Sequence, residues 1–212
     1  MERKLNIFME HIIHLHKDKK LKKIIELQEP YVLVKRKNVY LHLCTSIMSQ
    51  QLSTKVADVF HKRFLGLYKS KTPTAEQIAA TPFETLRGIG LSNAKANYVL
   101  NVCNFFIAEK ITDARLYKMS NEELIKYLSQ IKGIGQWTVE MILMFTLGRE
   151  DVFPVDDLAI QQSVCKLHNI DATDKKAMKV KMIAAAKKWS PYRTYACRYL
   201  WGWKDNAPEV KK

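Results

Sequence analysis

Two adjacent carboxylates, Asp156 and Asp157, stand in "FPVDDLAI" (153–160), at the start of an apolar run. The spacing predicts Asp156 as a helix cap and Asp157 in the first helical turn. The helix dipole favours negative charge there. A carboxylate held in that way can stabilise a developing positive charge or orient and deprotonate a water. Read structurally, both aspartates are capping residues and nothing more. Trp137 lies 157 − 137 = 20 residues earlier, in "KGIGQWT" (132–138). Its ring offers an electron-rich face to a cationic group, a contact worth ~0.5–2 kcal/mol. Gly133 and Gly135 sit two apart there, in a chain with only seven glycines. Glycine allows positive backbone angles and lets a backbone approach a ligand closely. The N–H groups and positive dipole end of a helix starting after them suit a phosphate. A G-x-G pattern alone reads more readily as a plain tight turn between packed helices, because the pattern is common and weak. "SIMSQQLSTKV" (46–56) adds Gln50 and Gln51 inside an apolar helical pattern, readable as an amide pair satisfied within the fold. "KKWSPYRTYACRYLWGW" (187–203) is dense in aromatics and arginines, most of them expected in a core.

These residues need helices to hold them, and nearly every segment carries helix signals. "SNEELIKYLSQI" (120–131) opens with Ser120 and Glu123 in capping-box register. Its Leu124, Tyr127, Leu128 and Ile131 follow i, i+3, i+4, i+7 spacing. Thr74 and Gln77 repeat the capping device, and Pro82 follows Thr81 as a first helical residue. A helix is predicted from Gln136 to Leu147, ending at Gly148. Another is predicted to start with Ser190 as cap and Pro191 next. Only "YVLV" (31–34) looks strand-like, and one short run cannot build a sheet. The fold class is therefore all-α. A helix, a glycine turn and a second helix over 120–147 make a helix–hairpin–helix.

Composition bounds the partners. The chain has 212 residues and a formal net charge of +14, from 35 Lys+Arg against 21 Asp+Glu. That imbalance favours a polyanion, nucleic acid first and an anionic membrane surface second. A hydrophobic fraction of 47% argues against disorder. No apolar stretch reaches membrane-spanning length, and the first residues do not form a secretory signal. Cys44, Cys103, Cys165 and Cys197 are far apart and make no C-x-x-C pair, so they read as thiols in a reducing compartment. The basic run "HKDKKLKK" (16–23) reads as a solvated face or frayed end, and His11, His14 and His16 as part of a surface helix.

Taken together, the residues resemble the helix–hairpin–helix (HhH-GPD) DNA glycosylase superfamily, and within it the alkylpurine branch of the DNA-3-methyladenine glycosylase II type. The matching pieces are SQQLS at 49–53, LRGIGLSNAKA at 86–96, IKGIGQWT at 131–138, VDDLAI at 155–160 and WSPYRTYACRYLW at 189–201. They span roughly residues 40 to 203 in family order. The resemblance implies two helical lobes with a DNA-binding cleft between them and no N-terminal β-domain. One lobe is a helical barrel over 42–153; the other combines 1–41 with 154–212. It implies no iron–sulfur cluster, because the four-cysteine cluster of related branches is missing, and a monomer working in the bacterial cytoplasm or a nucleus.

Site roles follow from the same resemblance. Asp157 matches the family aspartate at the mouth of the base pocket. Trp137 stands where bifunctional members carry a Schiff-base lysine, which implies a monofunctional glycosylase without lyase activity. Trp137 and Trp201 would cradle the base, with Met141 and Leu158 at positions often aromatic in relatives. Gly133, Gly135 and Thr138 match phosphate-binding positions. Gln51 and Leu91 match side chains inserted into the duplex. The carbonyls of Ser129, Ile131 and Ile134 match positions that hold a monovalent cation, Na+ or K+; no other cofactor is implied. The partner would be double-stranded DNA containing alkylated purines such as 3-methyladenine or 7-methylguanine. A non-catalytic helix–hairpin–helix DNA-binding module is the alternative, and it gives Asp157 and Trp137 no task.

Overall fold

The computed structural model describes residues 10–70 and 72–205, and among them there is no β-strand. Residues 31–34 form an irregular segment. The described chain divides into two compact units. One is drawn from the N-terminal segment up to Val34 and the C-terminal segment from Gly148; the other is Lys35–Leu147.

These boundaries differ from the 41/42 and 153/154 divisions expected from the sequence, and backbone hydrogen bonds explain why. The Arg36 N–H donates to the Thr146 carbonyl at 2.8 Å, and the Tyr117 hydroxyl donates to the Arg36 carbonyl at 2.7 Å. Residues from Lys35 onward are thus held by the second unit. Residues 149–152 are held by the first. The Thr194 hydroxyl donates to the Arg149 carbonyl at 2.6 Å, and the Thr194 N–H to the Glu150 carbonyl at 2.8 Å. Arg193 grips Asp151 with Nε at 2.5 Å and a terminal nitrogen at 2.9 Å.

The Lys35–Leu147 unit is built around the helices Val39–Ser49 and Asn93–Ala108. Their facing residues Leu43, Cys44, Ile47, Ala96, Val99 and Cys103 are fully buried. Each large aliphatic side chain removed from water contributes about 1.5–3 kcal/mol. Both predicted capping boxes are formed, Thr74 with Gln77 and Ser120 with Glu123, each bond present in both directions. Pro82 sits at the cap of Phe83–Gly88, one position before its expected place.

In the other unit Trp189 and Tyr199 are fully buried and Tyr195 nearly so. The Trp189 indole N–H donates to Asp18 at 2.9 Å. Asp18 also caps the helix Lys19–Ile25 by accepting from the N–H groups of Lys20 and Leu21. The basic run is therefore a capped helix with Leu21 in the core and not a frayed end. His11 is buried and stacks on Tyr195 with ring centroids 3.9 Å apart, while His14 meets the Lys188 carbonyl at 2.9 Å. The histidines part to separate partners, and His11 belongs to the core because an aromatic neighbour covers it. The C-terminal helix runs Arg193–Asp205, starting later than expected because the Ser190 hydroxyl donates to Asp151 at 2.8 Å instead of capping.

Candidate active site

The carboxylate at the head of Leu158–His168 belongs to Asp157, which is itself the cap. This corrects the expected register by one residue. Asp156 is half exposed and pairs with Lys179, so its charge is spent away from the helix end. Asp157 Oδ1 accepts the Ile160 N–H at 2.9 Å. The same oxygen accepts the indole N–H of Trp201 at 3.0 Å. A backbone donor and an aromatic donor 44 residues away in sequence thus fix the carboxylate's orientation. Trp201 is a partner of the acid as well as an aromatic surface. Leu158, next to the acid, is 66% exposed.

The helix Gln136–Phe145 carries the hairpin's second half. Its Thr138, Val139, Glu140, Ile142, Leu143 and Met144 are buried. Trp137 is 39% exposed and Phe145 38%, with Met141 half-buried. Positions 137, 141 and 145 recur at i+4 spacing, so they share one stripe of the helix. An otherwise buried helix therefore presents an apolar, partly open stripe beginning with Trp137.

The turn before it depends on Gly133, for both shape and space. Gly133 has φ +103°, and a Cβ there would lie 2.2 Å from the Tyr98 ring. No other residue fits. Gly135 caps the helix with φ −97° and no side-chain cap bond. A Cβ at Gly135 would meet nothing within 4 Å, so this end of the helix is open. The Thr138 side chain is buried and accepts from Gln50 Nε2 at 3.3 Å. Its expected role on a phosphate is thereby restricted to its backbone.

The first GIG copy folds into a matching turn, shifted by two residues. Gly90, with φ +103°, is the counterpart of Gly133. Buried Leu91 is the counterpart of buried Ile134. Ser92 caps Asn93–Ala108 as Gly135 caps Gln136–Phe145. Leu91 is only 1% exposed, which contradicts its expected insertion into DNA: a side chain locked in the core has no surface to offer a duplex. Gln51 fares differently. It is exposed, with φ 60° just beyond the end of Val39–Ser49. Lys95 was not singled out by its sequence, yet its ammonium donates to the carbonyls of Met48 at 3.0 Å and Gln50 at 2.7 Å. The signal available was its place as third residue of a helix behind a Ser cap.

The expected cation ligands lie in the hairpin loop. The Ile131 carbonyl already accepts the Ile134 N–H at 2.9 Å. A carbonyl keeps a second lone pair, and neutral oxygens suit a hard cation, so the donor chemistry of Ser129, Ile131 and Ile134 fits. Among the described residues no group of three or more His, Cys, Asp or Glu side chains could hold a metal ion. No helix among them is long and apolar enough to cross a membrane.

The glycine hairpin and its exposed aromatic stripe belong to the Lys35–Leu147 unit, and the oriented cap aspartate belongs to the other unit. Residues 44–191 match the profile of the HhH-GPD superfamily of base excision DNA repair proteins, and the chain belongs to that superfamily. Among individual relatives, it is 37% identical over 185 residues to DNA-3-methyladenine glycosylase 1 of Schizosaccharomyces pombe, covering 86% of this chain and 80% of that one. The solved structure of the S. pombe 3-methyladenine DNA glycosylase Mag1 in complex with abasic DNA superposes with a TM-score of 0.83 at 34% identity, over 95% of this chain and 100% of that one. A DNA-3-methyladenine glycosidase structure from Bacillus halodurans gives 0.79 at 34% identity, over 91% and 88%.

Proposed function

We propose that the protein is a monofunctional DNA N-glycosylase that removes alkylated purines, 3-methyladenine and 7-methylguanine foremost, and leaves an abasic site. The observation that carries this reading is the Asp157 carboxylate, held by the Ile160 and Trp201 N–H groups. The names of the similar S. pombe and B. halodurans proteins support it. So does the net charge of +14, which suits a duplex partner.

The target base leaves the stack at a cost of a few kcal/mol. Gly135 and the backbone of the helix behind it anchor a phosphate, setting the register without reading sequence. Gln51 enters the vacated space. An alkylated purine carries positive charge, so it stacks on the Trp137 face with a gain of ~0.5–2 kcal/mol, beside Met141. Trp201 supplies ring surface as well as its bond to Asp157. The cationic base is already a good leaving group. The C–N bond breaks toward an oxocarbenium-like sugar, and the carboxylate stabilises that charge. It also orients the attacking water and accepts its proton. Carbonyls of Ser129, Ile131 and Ile134 would hold Na+ or K+, which would supply positive charge for the phosphate.

Trp137 cannot form a Schiff base, so no lyase adduct is expected at this position. The test is incubation with duplexes each carrying one lesion, followed by chromatography of released bases and borohydride trapping. Free 3-methyladenine or 7-methylguanine and no trapped adduct are expected. Hypoxanthine and ethenoadenine, uncharged on the ring, should leave more slowly. A protein that binds all these duplexes and releases no base would overturn the reading in favour of a non-catalytic DNA-binding module.

A further inference from the structure

Both glycine turns are followed by a helix whose third residue reaches the same place. Lys95 is third in Asn93–Ala108, and Thr138 is third in Gln136–Phe145. Lys95 donates to the Gln50 carbonyl at 2.7 Å and to the Met48 carbonyl at 3.0 Å. Thr138 accepts from the Gln50 side chain at 3.3 Å. Gln50 is thus gripped by its backbone from one hairpin and by its side chain from the other. The next residue, Gln51, adopts φ 60°, a left-handed backbone unusual for glutamine, and its side chain is exposed.

The chemistry at Lys95 is specific. Among the described residues its ammonium makes no ion pair; its partners are backbone carbonyls. Burial pushes it below the ordinary lysine range. The carbonyls it meets are those at the C-terminal end of Val39–Ser49, where exposed C=O groups and the negative dipole end favour a cation. A half-buried lysine of this kind, in a chain rich in exposed lysines, is committed to holding a turn and not to meeting a phosphate.

We infer that Lys95 is a positioning residue that, together with Thr138, locks the Gln50–Gln51 turn so that Gln51 is presented ready-made to the gap in a duplex. The inference rests on the proposed function for the task of Gln51, and it adds the device that sets it. Ordering the turn beforehand removes a conformational cost from each DNA encounter.

The test is binding to two duplexes, one intact and one with a single abasic-site analogue, over a range of salt concentrations. The wild type should prefer the abasic duplex. Lys95→Met, which keeps the aliphatic stem, should reduce that preference about tenfold or more, the effect of losing charge-assisted hydrogen bonds. Its salt slope should equal that of the wild type. In a Gln51→Ala background the same substitution should change the preference by less than about twofold, because coupled residues are non-additive. Thr138→Val, released from the other side, should act in the same direction. The inference is overturned by an unchanged preference in Lys95→Met, by a salt slope lowered by about 0.9, which marks a phosphate contact, or by a wild type without preference. Should Lys95→Met fail to fold, Thr138→Val with and without Gln51→Ala decides alone: an unchanged preference, or full additivity, overturns the inference. Base release, measured in parallel on alkylated DNA, reports separately on the proposed function.

Discussion

A helix-capping aspartate replaced by asparagine keeps most of its stabilising effect, since both residues cap well. Asp157→Asn therefore separates the structural task of the side chain from the chemical one proposed for it. The fold and DNA affinity should persist while excision falls by roughly a hundredfold or more, the scale of losing one preorganised electrostatic group. Trp201→Phe keeps an aromatic face and deletes the N–H that reaches Asp157. Single-turnover excision should then drop about tenfold with duplex affinity unchanged; equal excision would reduce Trp201 to a packing residue. The acid was legible in sequence as one of two aspartates before an apolar run. Which of the two caps the helix was not, because the answer depends on Lys179 drawing Asp156 away. The bond from Trp201 was equally hidden, since it arises only once the C-terminal helix packs beside the Asp157 cap. Leu91 was assigned to the duplex by resemblance alone, and its own sequence context does not tell whether an apolar residue after a turn faces a core or a ligand.

At the scale of the hairpin, the two glycines of KGIGQWT make opposite predictions. Gly133→Ala forces a positive φ on alanine and drives its Cβ into Tyr98. It should cost about 2–3 kcal/mol or more in denaturant unfolding. Gly135→Ala meets open space and should change stability by less than about 0.5 kcal/mol, yet weaken DNA binding by obstructing the phosphate's approach. Equal DNA affinity for Gly135→Ala and wild type would remove the phosphate from that position. Capping boxes were readable because each depends on residues within one turn of each other, whereas helix ends shifted: Gln136–Phe145 stops two residues short of Leu147. The correspondence between the two hairpins was obscured by the repeated tripeptide, which aligns Gly88 with Gly133 although the backbone pairs Gly90 with Gly133. The clamp on Gln50 joins residues 45 and 88 positions apart, beyond the reach of local patterns.

For the whole molecule, charge and buried acids set the response to solvent. A chain of +14 binding a duplex should lose affinity steeply as salt rises. Two carboxylates held by side chains distant in sequence contribute to its acid stability. Burial works to raise the pKa of Asp18, but bonds from Trp189, Lys188 and the helix N–H groups outweigh it and hold it below the ordinary range. Asp151 follows the same pattern, with Arg193 and Ser190 as the donors that overcome burial. Their stabilisation is complete above the unfolded carboxylate value of about 3.9 and is lost as pH falls through the lower folded values. Thermal unfolding should therefore be flat with respect to these groups from neutral pH to about 4.5 and decline below about 4. Asp18→Ala leaves the Trp189 N–H buried without its acceptor and uncaps a helix, for a loss of about 2–4 kcal/mol at neutral pH. Its acid decline should be correspondingly shallower. Composition points to a polyanionic partner, whereas these acids could not be read from sequence because their side-chain donors lie 39 to 171 residues away in the chain.

On the proposed function, Asp157 carries a hydrolytic excision reaction on alkylated purines. Its most direct test is single-turnover release of 3-methyladenine from methylated duplex DNA, measured for the wild type and for Asp157→Asn at matched DNA occupancy. Rapid release by the wild type and a loss of roughly a hundredfold or more in the variant are expected. Release by Asp157→Asn at the wild-type rate would contradict that role for Asp157.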